Sequence, residues 1–194
     1  KRIIADLQEK SMVTGLELFK AIGRRASVRA FKGDPIREGD LEKILSAATL
    51  APSAGNLQPW CFLVSTKKKT KEALAEAALG QSFMAEAPVI ITVCAVEGES
   101  AVRYGNRGRE LYCIQDTAAA TENILLAATA LGYGSCWIGA FDEDAVKKVQ
   151  GIQSGIRPVA LIPLGFPDES PQVVRRKPLG EVVRYESCAE DKRQ

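Results

Sequence analysis

The sequence predicts an α+β fold, a central mixed β-sheet flanked by helices, on three observations. Residues 88–96 form a nearly continuous apolar run rich in Val and Ile, the pattern of a strand covered on both faces. Residues 115–131 carry Ala118, Ala119, Ile124, Leu125, Ala127 and Ala128 before Gly132, the pattern of a long apolar helix ended by glycine. Around these two, helical and strand-like segments mix without strict βαβ alternation, which favours α+β over a doubly wound sheet.

In chain order, residues 1–13 are polar and mixed and read as an N-terminal extension. Leu16, Leu18, Phe19 and Ile22 predict a short helix ending near Gly23. Asp34-Pro35 breaks the chain, after which Leu41, Ile44, Leu45 and Ala48 fall at helical spacing with Asp40 as the expected N-cap. Residues 61–65 read as a strand and 67–79 as an exposed helix with a charged face. Residues 98–109 are polar and contain glycine, so a loop is expected there. A short strand over 135–140, a capped helix over 142–149 and a strand over 159–164, closed by Gly165-Phe166-Pro167, complete the pattern. The tail is basic after Pro171 and apolar over 179–183. With no repeat or low-complexity linker, residues 14–187 read as one domain followed by a short tail over 188–194.

Composition narrows the function classes. The 194 residues are enough for one substantial core. Hydrophobic residues make up 46%, charged residues 26%, and the formal charge is +2, with basic residues in separate segments. That gives no footprint for nucleic acid. No apolar run approaches the roughly 20 residues of a membrane helix, and no signal peptide opens the chain. A cytoplasmic location is the expectation. Cys61, Cys94, Cys113, Cys136 and Cys188 show no CxxC spacing, so small core thiols are expected rather than a metal site. The sequence has no histidine, which removes Ser-His-Asp and Cys-His hydrolase schemes. An enzyme of this composition leans on a bound cofactor for its reactive chemistry.

Four segments carry polar groups in suggestive order. On an extended stretch Arg25, Ser27 and Arg29 share one face, because side chains alternate. Two guanidiniums and a hydroxyl converging in this way suit a phosphate dianion, against the plainer reading of a solvated basic segment. Pro52-Ser53-Ala54-Gly55-Asn56-Leu57-Gln58-Pro59-Trp60 is a rigid polar loop beside a tryptophan. It suits a flat, heteroatom-rich ring, or else is a loop that satisfies only itself. Gly132 to Ala140 places glycines around a short apolar strand, and Gly139 at its end would let a ring meet a backbone N–H. Arg175-Arg176-Lys177-Pro178 is a second basic cluster, a solvated tail unless it folds back towards Arg25 and Arg29.

Together these segments resemble the nitroreductase family of FMN-dependent oxidoreductases. The resemblance is carried in order by residues 25–29, 51–60, Ala87-Pro88, Asp116-Thr117-Ala118-Ala119-Ala120, 132–141, Leu164-Gly165-Phe166-Pro167 and residues 175–179, and it spans roughly residues 16–185. It implies a nitroreductase-like fold in an obligate homodimer with the flavin at the interface. Arg25, Ser27 and Arg29 would grip the FMN phosphate, Ala26 through its backbone alone, and Arg176 would complete that clamp. Pro52, Ser53, Ala54 and Asn56 would reach the flavin of the other subunit. Trp137, Ile138 and Gly139 would run past the ring with a backbone N–H near N5, and Gln81 is a further ring contact.

The implied reaction is ping-pong hydride transfer through N5, from NADH or NADPH to nitroaromatic, quinone or flavin-like acceptors. No side chain need serve as acid or base. The segment before Ala87-Pro88 is too short for the lid of iodotyrosine deiodinase-like members. The acidic residue expected at Ala26 or Ser27 in relatives that make a cobalamin ligand is absent. Tyr104 and Arg107, in the expected loop, are read as a gate over the open flavin face. The alternative is a flavin-binding or storage module with little turnover.

Overall fold

The computed structural model describes residues 15–171 and 174–187. The 1–13 extension and the 188–194 tail of the sequence reading lie outside them. Four strands form one sheet in the order β1-β2-β4-β3: β1 (Trp60–Ser65), β2 (Val89–Val96), β3 (Gly134–Ser135) and β4 (Ile156–Gly165). All pairings among them are antiparallel. The parallel element of the expected mixed sheet comes from outside the named strands, where Ser27 bridges Ser135.

The helices are α1 (Gly15–Arg24), α2 (Asp40–Thr49), α3 (Lys68–Ala77), α4 (Glu97–Arg107), α5 (Cys113–Ala130), α6 (Glu143–Gln150) and α7 (Leu179–Val182). Alternation along β2 and β4 feeds two cores. On one face Val89, Ile91, Val93, Ala160, Ile162 and Leu164 pack with Ile44 and Ala48 of α2 and Ala120, Ile124 and Ala128 of α5. On the other, Ile90 and Leu161 meet Leu74 and Ala75 of α3, Met84, and Val146 of α6. Burying each large aliphatic side chain contributes roughly 1.5–3 kcal/mol. Double coverage is why β2 has so few polar residues.

Three sequence expectations change. Residues 98–109 are not a loop. Glu97–Arg107 is helical with a break at Gly105 (φ 54°), and a π turn over Gly108–Tyr112 joins it to α5. Glu97 and Glu99 in the first turn favour the helix electrostatically. Gly108 is tight against the Ser100 carbonyl, so the glycine that reads as a loop former is a packing residue.

Asp40 is not the N-cap of α2. Gly39 takes that position at φ 76°, and Asp40 turns inward as the first helical residue. The expected strand over 135–140 shrinks to Gly134–Ser135, with an isolated bridge from Ile138 to Leu161. Asp142 does cap α6, accepting from the Asp144 and Ala145 N–H groups at 2.9 and 3.0 Å. Among the described residues no helix is long and apolar enough to cross a membrane.

Candidate functional site

The arginine segment is held against the sheet by its apolar members. Val28 is buried, its N–H donates to the Ser135 carbonyl at 3.0 Å, and Ser27 pairs with Ser135 in parallel. A Cβ at Gly134 would lie 2.8 Å from a Val28 methyl, so the close approach of this segment to β3 depends on that glycine. Phe31 is buried opposite Pro167, and the Lys32 N–H donates to the Phe166 carbonyl. With Val28 facing inward, Ser27 and Arg29 face out, as alternation requires. Arg25 stands half-buried beside them with Nε 4.0 Å from Glu122.

The Arg29 N–H donates to the Glu169 carboxylate at 2.5 Å. Ala26 is half-buried. Beneath the cluster, burial pushes the Cys136 thiol up, while Arg29, Ser27 and Arg25 pull it the other way. The arginine strand and the Cys136 segment are thus electrostatic neighbours.

From Cys136 the chain runs outward. Ile138 is fastened to Leu161 by two backbone bonds of 2.9 and 3.0 Å. Trp137 is 40% exposed, and Gly139 is open to solvent with nothing within 4 Å of where a Cβ would stand. Among the described residues the Gly139 N–H has no hydrogen-bond partner. Gln81 donates through Nε2 to the Ala78 carbonyl at 2.8 Å and to Ala140 at 3.2 Å, which sets it beside this segment. The segment of Arg25, Ala26, Ser27 and Arg29 thus adjoins the strip through Trp137, Ile138 and Gly139, with Gln81 bonded at its far end, as one wall. Ile138 gives that wall only its backbone, its side chain being buried in the second core. A groove of about 810 Å³ between α3 and α6 is lined by none of these residues.

A second group of candidates stands elsewhere on the chain. Pro52, Ser53, Ala54 and Asn56 belong to a loop that forms one 3₁₀ turn, Ala54–Asn56. Gly55, Asn56 and Gln58 all adopt left-handed backbone angles (φ 59°, 56° and 53°). A Cβ at Gly55 would lie 2.7 Å from the Tyr104 hydroxyl and 2.8 Å from the Arg103 guanidinium, so α4 lies directly on the loop. Gln58 braces the turn, its N–H donating to Ser53 Oγ at 3.0 Å. Tyr104 packs edge-on against Tyr112 at 5.1 Å, and Arg107 covers the Tyr112 ring while donating to its hydroxyl at 2.9 Å. The gate residues are therefore fixed on a helix. Arg176 lies in an exposed stretch over 174–187, where it lines a shallow pocket with Arg175, Lys177, Pro178 and Glu181.

Sequence reasoning passed over two residues that touch these groups. Glu169 holds the Arg29 backbone from a segment 140 residues away. Asp116 stood only as part of a motif, yet its Oδ1 accepts the Ala54 N–H at 3.1 Å. A carboxylate among Cys, Thr and Ala on an apolar helix was the available signal.

Comparison with known proteins agrees with this fold. The model described as "Nitroreductase family" matches residues 22–82 and 78–166. A Thermus thermophilus NADH dehydrogenase is 34% identical over 189 residues, covering 84% of this chain and 92% of that protein. An oxygen-insensitive NADPH nitroreductase of Salmonella typhimurium is 27% identical over 168 residues, covering 83% and 70%. The crystal structure of a nitroreductase family protein from Clostridium novyi NT superposes with a TM-score of 0.70 at 36% identity, over 78% of this chain and 86% of that one. The chain belongs to the nitroreductase family of NAD(P)H-dependent oxidoreductases.

Proposed function

We propose that this protein is an FMN-dependent oxidoreductase that takes electrons from NADH or NADPH and passes them, in a ping-pong cycle, to nitroaromatic, quinone or flavin-like acceptors. The observation that carries the reading is the parallel pairing of Ser27 with Ser135. It places two arginines and a hydroxyl next to a segment that ends at the open Gly139 with an unused N–H.

FMN needs both features: fixed cations for a phosphate and a donor beside a flat ring. When bound, FMN supplies two-electron acceptance and donation in alternating half-reactions. Arg25, Ser27 and Arg29 hold the phosphate, Ala26 contributes its backbone, and Trp137, the Ile138 backbone and Gly139 form the surface for the ring. The positive charge of Arg25 and Arg29 offsets the negative charge of the phosphate. No histidine is present to move protons, so solvent serves that need.

The site is completed by a second copy of the chain. The Pro52–Asn56 loop and Arg176 belong to the same set of residues but, among the described residues, make no hydrogen bond or ion pair to Arg25, Ser27 or Arg29. A twofold dimer brings the loop of one protomer to the wall of the other. Leu18, Phe19 and Ile22 of α1 are 48%, 71% and 49% exposed, and Leu179, Val182 and Tyr185 are exposed as well. Patches of this kind mark interfaces. Tyr104 and Arg107, fixed beside the loop, then stand at the rim where acceptors enter.

The test is optical and thermodynamic. Purified protein, or protein given FMN, should show paired flavin absorption bands that bleach anaerobically with NADH or NADPH. Arg29→Ala should weaken FMN about tenfold or more while changing riboflavin affinity less than about threefold, because only FMN carries the phosphate. Equal losses for both ligands would refute the phosphate clamp. Bands without steady-state NAD(P)H oxidation would favour the storage reading.

A further inference from the structure

Residues 52–58 are internally bonded and make few hydrogen bonds to the rest of the chain, whereas Pro59 and Trp60 already pair with the end of β2. The Asn56 N–H reaches the Ser53 carbonyl, the Leu57 N–H the Ala54 carbonyl, and the Gln58 N–H Ser53 Oγ, all local. Two non-glycine residues, Asn56 and Gln58, sit in the left-handed region, where each costs on the order of 1 kcal/mol. Such a turn needs an outside restraint to keep one shape. Among the described residues, one hydrogen bond joins residues 52–58 to a sequence-distant element: Ala54 N–H to Asp116 Oδ1, at 3.1 Å.

Asp116 is an odd residue to find there. It is 7% exposed, on the buried face of α5 among Thr117, Ala120 and Cys113, and its Oδ2 is buried with no partner among the described residues. Nearby hydroxyls do not help. Thr117 donates to the Cys113 carbonyl and Thr121 to Thr117, both within their own helix. The residue cannot be capping a free helix end, because α5 continues from the π turn over Gly108–Tyr112. Burial pushes its carboxyl up, with only the Ala54 N–H opposing. A buried carboxylate with a single neutral donor is a net cost to the fold. Its one structural product is the position of Ala54.

We propose that Asp116 is a positioning residue of the cofactor site: its carboxylate oxygen fixes the Ala54 N–H and so preforms the turn that one protomer offers to the FMN of the other. The inference rests on the flavin reading given above, but the restraint itself does not. Asp116 touches no cofactor. It acts through the loop, by removing in advance the ordering that binding would otherwise require. Arg103 and Tyr104 pack on the same turn at Gly55, but the hydrogen bond that fixes its backbone is accepted by Asp116.

The experiment compares wild type, Asp116→Ala and Asp116→Asn. Hydrogen exchange at the Ala54 amide reads the restraint, and an FMN titration followed by fluorescence quenching reads its consequence. In Asp116→Ala, exchange at Ala54 should accelerate at least tenfold while core amides such as Ile91 stay protected, and the FMN Kd should rise about tenfold. Asp116→Asn keeps the acceptor oxygen and should restore both to within about threefold. Should Asp116→Ala fail to fold, Asp116→Leu fills the same volume without an acceptor and serves in its place.

Unchanged Ala54 exchange in the acceptor-free variant overturns the proposal. So does accelerated exchange with unaltered FMN affinity, or an asparagine variant that behaves like alanine. Wild-type protein that binds no FMN defeats the flavin reading and the positioning role together, while the exchange data still show whether the anchor exists.

Discussion

Asp40 and Asp116 are buried to almost the same degree, 6% and 7% exposed, and both stand near the start of a helix that packs on the same face of the sheet. Their surroundings differ. Asp40 accepts from Lys43 Nζ, Arg37 Nε and the Tyr133 hydroxyl, each at 2.9 Å. Asp116 accepts from one backbone N–H and leaves an oxygen without a partner. The Lys43 bond, with Tyr133 and Arg37 behind it, outweighs burial and holds the Asp40 carboxyl at about 2. Burial prevails at Asp116 and pushes it the other way. Equal burial therefore gives opposite signs, and the partners decide which. Asp40 fastens α2 to Tyr133 at the entry to β3, the strand on which the arginine wall stands. Asp116 yields stability and gains a fixed loop.

The largest expected effect comes from breaking the satisfied member. Asp40→Ala removes three accepted bonds and leaves Tyr133 and Arg37 without their acceptor. A loss of about 2–3 kcal/mol follows, which for a chain of this size lowers Tm by roughly 5–10 °C. FMN affinity measured well below the new Tm should change less than about twofold. If affinity fell in step with stability, Asp40 would belong to the site, and its contrast with Asp116 would collapse.

How far such distinctions can be read from sequence depends on the range of the interaction. β2, α5 and the Asp142 cap of α6 follow from local pattern, because burial on both faces, helical spacing and a side-chain cap are properties of neighbouring residues. Alternation in residues 25–29 places Ser27 and Arg29 on one face. Nothing local shows that Ser135 is the partner strand. The helix over Glu97–Arg107 escaped because three glycines, Gly98, Gly105 and Gly108, read as loop. What holds it is tertiary: Gly108 against Ser100, and Tyr104 against Tyr112 and Gly55. Asp40 and Asp116 both look like surface or cap residues until Tyr133 lies 93 positions away and Ala54 lies 62 away. The family resemblance supplied the loop, the arginines and Asp116 as part of a motif, but not the bond by which that carboxylate connects the loop to the fold.

The pH dependence of stability should separate the two carboxylates by sign. Asp40 has a folded value of about 2 against an ordinary 3.8, so its contribution is fully present above about pH 4 and is lost as pH falls towards 2. Asp116 has a raised folded value, so its ionised form costs stability at neutral pH, and protonation below that value relieves the cost. Thermal melts across pH 2–8 should show Asp40→Asn flattening the acid arm of the curve. Asp116→Asn should melt at or above wild type at pH 7, with the gain vanishing in acid. An acid arm unaltered by Asp40→Asn would mean that its three partners do not set its ionisation.

The smallest effect sharpens the comparison within the Asp40 cluster. Tyr133 plays two parts through one hydroxyl, donating to Asp40 at 2.9 Å and accepting from the Arg37 N–H at 3.0 Å. Its ring also lies under the Arg37 guanidinium at 5.1 Å and against Phe166 at 4.7 Å. Tyr133→Phe keeps both ring contacts and deletes only the hydroxyl. A loss of about 1 kcal/mol is expected, or roughly 2–4 °C in Tm, because Lys43 and Arg37 still hold the carboxylate. A loss equal to that of Asp40→Ala would mean the hydroxyl carries the cluster. A loss near zero would mean the two cations suffice, and that Asp40 differs from Asp116 by charge compensation alone.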